Sequence, residues 1–208
     1  MPNITRRSAL KIFTAAPAAA VLSWTPAEAE HAHEQAQKAG QTAAKTGAPF
    51  KPKFFTAHEY ATVAVLVDLI IPKDERSGSA TEAGVPQFMD FMMSDDTTSD
   101  KRRQTSMRGG LALIDRLAET RFNNKPFAAC SDAERRQILD DIAYPAKAKP
   151  EMSHAVAWFG SFRDLTASGF WTSKMGVADL KYMGNVYVQE WEGCPEAALK
   201  KLGVSYDA

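Results

Sequence analysis

The chain has 208 residues, with 25 basic and 25 acidic side chains, 45% apolar residues and two cysteines. Balanced charge without a basic stripe argues against nucleic acid as a partner. Two distant cysteines exclude a disulfide-rich scaffold, a C-x-x-C-H haem attachment and a cysteine-held iron–sulfur centre.

Residues 1–29 read as a twin-arginine export signal. Arg6 and Arg7 precede a modest apolar run over residues 12–24, and Ala27-Glu28-Ala29 is an A-x-A-type cleavage site. The run is too short and too alanine-rich to cross a bilayer core of about 30 Å as a permanent helix. Loss of Arg6, Arg7, Lys11 and Glu28 with the signal would leave a mildly acidic mature chain. The twin-arginine route carries folded proteins, commonly ones already holding a cofactor. Either this chain grips a cofactor, or it folds around a protein that does.

Residues 30–53 are rich in Ala, Gln, Lys, Thr and Gly and poor in large apolar side chains, the composition of a flexible linker. His31 and His33 lie in it at a spacing that could chelate a metal loosely, but solvated linker histidines are the commoner case.

The folded domain is expected over residues 54–208, with one core of about 150 residues. Thr56 and Glu59 form a capping box ahead of Val63, Leu66, Val67 and Ile70, and Pro72 ends that helix. A polar turn over 73–84 follows. Pro86 opens a short helix carrying Phe88, Met89, Phe91, Met92 and Met93, too many bulky residues for a single stripe, so it is buried on more than one side or meets another surface. Met107, Leu111, Ile114 and Leu117 mark a third helix, in which Gly109-Gly110 allows a close helix approach or a kink. Ser131 and Glu134 make a second capping box, with Ile138, Leu139 and Ile142 facing inward until Pro145 and Pro150. A fifth helix is predicted over about 154–168, burying Val156, Phe159 and Phe162, with Gly169 as its C-terminal cap.

From 169 to 195 large rings alternate with glycines without helical period, which predicts an irregular, docked segment. Phe170, Trp171, Tyr182 and Trp191 are candidates for a partner interface, where Trp and Tyr serve as anchors, and equally for the core. Residues 196–202 close the chain as a short helix. No run alternates with strand period, so the class is all-α, about five helices with an irregular aromatic and glycine-rich C-terminal segment.

No G-x-G-x-x-G turn follows a strand, so no dinucleotide site is legible. His58 and His154 lie at helix starts without a partnered nucleophile, and Asp95-Asp96 and Asp140-Asp141 read as solvated charges rather than acid/base pairs. Cys130 and Cys194 leave open an intrachain disulfide, a bond to a partner chain, or two free thiols. No catalytic, cofactor-binding or metal-binding residue is expected in this chain.

Five blocks in order carry a resemblance: Leu69-Ile70-Ile71-Pro72-Lys73-Asp74; Ala80-Thr81-Glu82-Ala83-Gly84-Val85; Phe162-Arg163 leading to Gly169-Phe170-Trp171-Thr172-Ser173; Tyr182-Met183-Gly184; and Trp191-Glu192-Gly193-Cys194-Pro195. Together they resemble the gluconate 2-dehydrogenase subunit 3 family over roughly residues 54–195. The resemblance implies a small, non-catalytic subunit of a periplasmic FAD-dependent sugar, polyol or sugar-acid dehydrogenase. It implies a large flavoprotein of the glucose-methanol-choline oxidoreductase type as partner, holding FAD, and often a multihaem cytochrome c with haem c that tethers the assembly to the inner membrane. The small subunit would help the large one mature and supply the signal read by the Tat translocase. Two alternatives belong to other classes: a stand-alone periplasmic binding or scaffold protein, and an enzyme acting through a thiol or a histidine.

Overall fold

The computed structural model describes residues 50–95, 101–182 and 193–206, together with 31, 32, 34, 35, 38 and 189. The expected export signal with Arg6 and Arg7, His33 and Trp191 lie outside the described residues. The described residues from 50 onward form seven α-helices, and among all described residues there is no strand, so the all-α expectation holds.

Helix α1, Ala57–Ile70, starts where the sequence places it. Glu59 N–H donates to Thr56 Oγ1 at 3.2 Å, and Thr56 N–H donates to Glu59 Oε2 at 2.8 Å, so two otherwise orphaned donors are satisfied reciprocally. Pro72 stops it, holding Ile71 out of the helical region at φ −127° and ψ 84°. The chain then folds back on α1. Ala80 N–H donates to Ile71 O at 3.0 Å, and Thr81 N–H donates to Asp68 Oδ1 at 2.7 Å.

Gly84, at φ +84°, turns the chain into α2, Val85–Ser94. Phe88, Met89, Met92 and Met93 are all fully buried, as five bulky residues in a six-residue window require. The one polar residue in that window, Asp90, is only 2% exposed. Its carboxylate accepts the backbone N–H groups of Lys53 at 2.8 Å, Phe54 at 3.0 Å and Phe55 at 3.0 Å. The segment leading into α1 is thereby fastened to α2 by one side chain.

Helix α3, Lys101–Arg121, meets α5, Ser153–Trp171, at Gly110. A Cβ at that position would lie 1.9 Å from Trp158 Cε2. The indole rests on bare backbone, and of the two readings of Gly109-Gly110 the close approach is the one realised. Gly110→Ala is therefore expected to destabilise the fold by about 1–3 kcal/mol as Trp158 is displaced. A urea titration followed by tryptophan fluorescence reads this. Gly109→Ala, with open space around the new methyl group, is the control.

A 3-10 turn, Phe127–Ala129, leads to α4, Asp132–Asp140, whose capping box is also formed. Ser131 N–H donates to Glu134 Oε2 at 2.7 Å and Glu134 N–H to Ser131 Oγ at 3.4 Å. The bonds from Ser131, with Lys125 adding a smaller contribution, hold the Glu134 carboxyl below the ordinary glutamate value. A carboxyl with a depressed folded-state pKa stabilises the fold above its unfolded value, and that stabilisation is lost as pH falls through the folded value. Thermal melts should thus decline through and below the ordinary glutamate range, and less steeply in Glu134→Gln, which keeps the acceptor oxygen but cannot titrate.

Helix α5 is the centre of the domain, packing against α1, α2, α3 and α6, Lys174–Leu180. Its length corrects one expectation. Gly169 does not cap the helix; α5 continues to Trp171, and Gly169 lies inside it. A Cβ there would sit 2.7 Å from Phe88 Cδ1, so the glycine is needed for α2 to approach α5. The stretch from 169 is also less irregular than expected, since it contains the end of α5 and all of α6. Helix α7, Glu196–Leu202, has the expected bounds and ends at Gly203 with φ +67°.

Within the stretch assigned to the linker, His31, Ala32, Glu34, Gln35 and Lys38 are helical. Ala32 is fully buried, and the His31 ring meets Phe91 edge-on at 5.6 Å. Phe50 stacks at a tilt on Tyr60, also at 5.6 Å.

Candidate functional site

The junction of α5 and α6 gathers exposed apolar side chains on a tightly built corner. Ser173 ends the turn after α5 and caps α6, its Oγ accepting Gly176 N–H at 2.9 Å. A Cβ on Gly176 would stand 2.1 Å from Phe170 O, so only glycine lets α6 fold straight back on the end of α5. At its other end Lys181 adopts the left-handed conformation at φ +53°. Lys181 N–H donates to Ala178 O at 3.1 Å and Tyr182 N–H to Val177 O at 3.2 Å. This is a Schellman ending, which returns Tyr182 towards Val177.

The α1–α2 turn fastens the corner from outside. Arg76 donates to Asp179 O at 2.8 Å and pairs with the Asp179 carboxylate at 2.7 Å. Asp74 shapes that turn, its Oδ1 accepting the N–H groups of Arg76 and Ser77, both at 2.8 Å. These backbone bonds, led by the one from Ser77, hold the Asp74 carboxyl below its ordinary value. Two segments about a hundred residues apart, as the Arg76–Asp179 bond spans 103, are thus held at one place.

On this corner Trp171 is 37% exposed, Val177 37%, Leu180 55% and Tyr182 61%. Val177 and Leu180 are three apart on one helix and share a side of it. Exposed apolar side chains grouped on one corner make it a candidate interaction surface.

The candidate residues divide accordingly. Trp171 and Tyr182 present their rings at the surface, whereas Phe170 is fully buried and meets Trp171 edge-on at 4.9 Å. Phe170 therefore sets the position of Trp171 and offers no surface of its own. Trp191 lies outside the described residues. The intrachain disulfide that the sequence left open is not formed: both cysteines are free, Cys130 buried and Cys194 exposed. Burial pushes the Cys130 thiol up, away from reactivity.

The sequence reading missed a concave surface elsewhere on the domain. Between the end of α1, α4 and the first half of α5 lies a cleft of about 270 Å³, with Leu69, Ile70, Leu139 and Phe159 lining it beside Arg136, Arg163 and Tyr144. Arg136 and Arg163 project from different helices, so no sequence spacing brings them together.

Of the described histidines, His58 pairs with a carboxylate and His154 opens a helix. His58 Nε2 is 2.6 Å from Asp115 Oδ2, and the other oxygen of Asp115 accepts Phe127 N–H at 2.9 Å. That carboxylate ties α1 and the 3-10 turn to α3. His154 is exposed at the start of α5. Among the described residues no group of three His, Cys, Asp or Glu side chains could hold a metal ion, and no helix is long and apolar enough to cross a membrane.

Among known protein families, the one described as gluconate 2-dehydrogenase subunit 3 matches residues 57–193. No curated protein and no solved structure matches the chain.

Proposed function

Because the chain belongs to the gluconate 2-dehydrogenase subunit 3 family, we propose that it is the non-catalytic small subunit of an exported FAD-dependent sugar, polyol or sugar-acid dehydrogenase. Membership makes it a subunit of a multi-subunit dehydrogenase and implies a catalytic partner chain. In this reading the partner is a large flavoprotein of the glucose-methanol-choline type. The small subunit supports its maturation and carries it through the Tat translocase on the Arg6-Arg7 signal. A multihaem cytochrome c then takes the electrons and holds the complex at the periplasmic face of the inner membrane.

The observation that carries this reading is the corner of α5 and α6, where Trp171, Leu180 and Tyr182 are exposed on a frame rigidly pinned by Ser173, Gly176 and Arg76. A frame so fixed lowers the backbone ordering cost of docking, leaving mainly side-chain ordering to be offset. The cleft between α1, α4 and α5 does not suit the flavin. Its volume of about 270 Å³ falls below the roughly 300–1,000 Å³ of pockets that bury drug-sized ligands, and a flavin dinucleotide is larger than those. In this reading the flavin is held by the partner. Any disulfide across the interface would use Cys194, since Cys130 is buried.

Producing the flavoprotein chain with and without this subunit tests the proposal. Dehydrogenase activity should reach the periplasm only when both are made. Full export and full activity of the flavoprotein alone would overturn it.

A further inference from the structure

We propose that the folded domain protects its own export signal from removal, by docking the residues just beyond the Ala29–Glu30 bond where a signal peptidase cannot take them up. This rests on the reading of residues 1–29 as a signal ending in Ala27-Glu28-Ala29, and adds what controls its cleavage.

The docked residues are His31 and Ala32, which are helical, as are Glu34, Gln35 and Lys38. Ala32 is fully buried and belongs to the hydrophobic core, and the His31 ring meets Phe91 of α2 edge-on at 5.6 Å. Gln35, three places from Ala32, lies on the same side and is half-buried, whereas Glu34 and Lys38 pair at 2.8 Å on the exposed side. These residues thus have an inner and an outer side, the mark of a helix laid against a surface. That surface is firm, since Asp90, next to Phe91, ties the backbone of residues 53–55 to α2.

A protease takes up its substrate as an extended strand, with alternate side chains in pockets on both sides of the bond. A helical His31 and a buried Ala32 cannot enter such a groove. Ala32 is three residues past Ala29, so even a fully extended chain leaves the bond within about 11 Å of the domain, whose bulk then obstructs the enzyme. Cleavage proceeds only from molecules in which these residues have lifted off, and its rate follows the population of that open form. Hydrolysis adds one water across the bond, leaving a carboxylate on Ala29 and an amine on Glu30, with no other reactant. Until then the domain stays joined to the apolar run over residues 12–24.

Pulse labelling of the full chain, produced with its flavoprotein, tests this, with intact and cut forms of the exported protein resolved by mass over time. Two variants free the bond by different routes. Ala32→Asp places a charge in an apolar contact and lifts the docked residues. Ten Gly/Ser residues inserted between Glu30 and His31 leave the contact in place and set the bond roughly 17 Å further from it. Each variant should be cut at least about tenfold faster than the wild-type chain, and combining them should give no further increase. Equal rates in the wild-type and spacer chains overturn the proposal. So does a further gain from Ala32→Asp in the spacer chain, which would mean that the protease prefers the aspartate itself, and so does removal at a bond other than Ala29–Glu30. Where Ala32→Asp fails to fold, the spacer comparison decides alone. Export without cleavage in any of the chains overturns the cleavage site and this proposal but leaves the subunit reading standing, whereas absence of export overturns the signal reading as well.

Discussion

Replacing Asp90 with alanine is expected to lower the unfolding free energy by about 3–5 kcal/mol, enough to unfold a marginally stable domain of this size. The carboxylate is 2% exposed and is the acceptor for three consecutive backbone N–H groups, those of Lys53, Phe54 and Phe55. Alanine would strand all three donors, the buried one of Phe55 and the part-buried ones of Lys53 and Phe54. It would also free the segment that positions the Thr56 cap. Asp90→Asn should cost roughly half as much. Oδ1 serves Phe54 and Phe55 and can be kept as the amide oxygen, but the amide nitrogen would then face Lys53 N–H. Urea unfolding followed by circular dichroism ranks the three proteins.

Tyr60 supplies an independent readout of the same group. Its phenol is pushed up to about 12, first by burial and second by the negative charge of Asp90. A phenol whose folded-state value is raised favours the fold below the ordinary tyrosine value, and that contribution is lost as pH rises through about 12. Tyrosinate absorbance should therefore develop at lower pH in Asp90→Ala wherever the variant remains folded. Unchanged stability together with unchanged Tyr60 titration would refute the role given to Asp90.

The second large effect concerns assembly. Leu180→Ser combined with Tyr182→Ser is expected to weaken the complex with the catalytic chain by at least about 30-fold, the loss typical of two apolar interface anchors. The isolated subunit should be little affected, since Leu180 is 55% and Tyr182 61% exposed. Serine avoids placing a negative charge at the C-terminus of α6, which the helix dipole would oppose. Size-exclusion chromatography of the co-produced chains measures the first effect and a thermal melt of the subunit alone the second. Undiminished co-elution would move the interface away from this corner.

These two cases also show which features of the molecule are legible in its sequence. Helix starts and stops could be read because they are local. Thr56 with Glu59, Ser131 with Glu134, Pro72 and Pro86 each act on backbone within a turn or two of themselves. Gly169 could not be read, because a glycine near the end of an apolar pattern fits a cap and a close helix contact equally well. Only the Phe88 ring arriving from α2 decides.

Helix α6 was hidden for a different reason. Seven residues are too few to show a period, and the only local sign was Ser173 three places before Gly176. Phe170 and Trp171 are neighbours with opposite fates, one in the core and one at the surface, because a helix turns about 100° between them. Asp90 did leave a trace, as a lone carboxylate among Phe88, Met89, Phe91, Met92 and Met93. An acid in such company must be paired or solvated, and here it is paired with backbone. The cleft left none, since Arg136, Tyr144 and Arg163 converge only through tertiary packing.

The most direct measurement is to recover the chain from cells under mild conditions, resolve it by size, and scan the visible absorbance of each fraction. The subunit reading predicts that it elutes with a much larger chain, that flavin absorbance follows that chain, and that the subunit separated from it is colourless. A subunit that elutes alone with stoichiometric flavin or haem, or that oxidises a sugar unaided, would contradict the account.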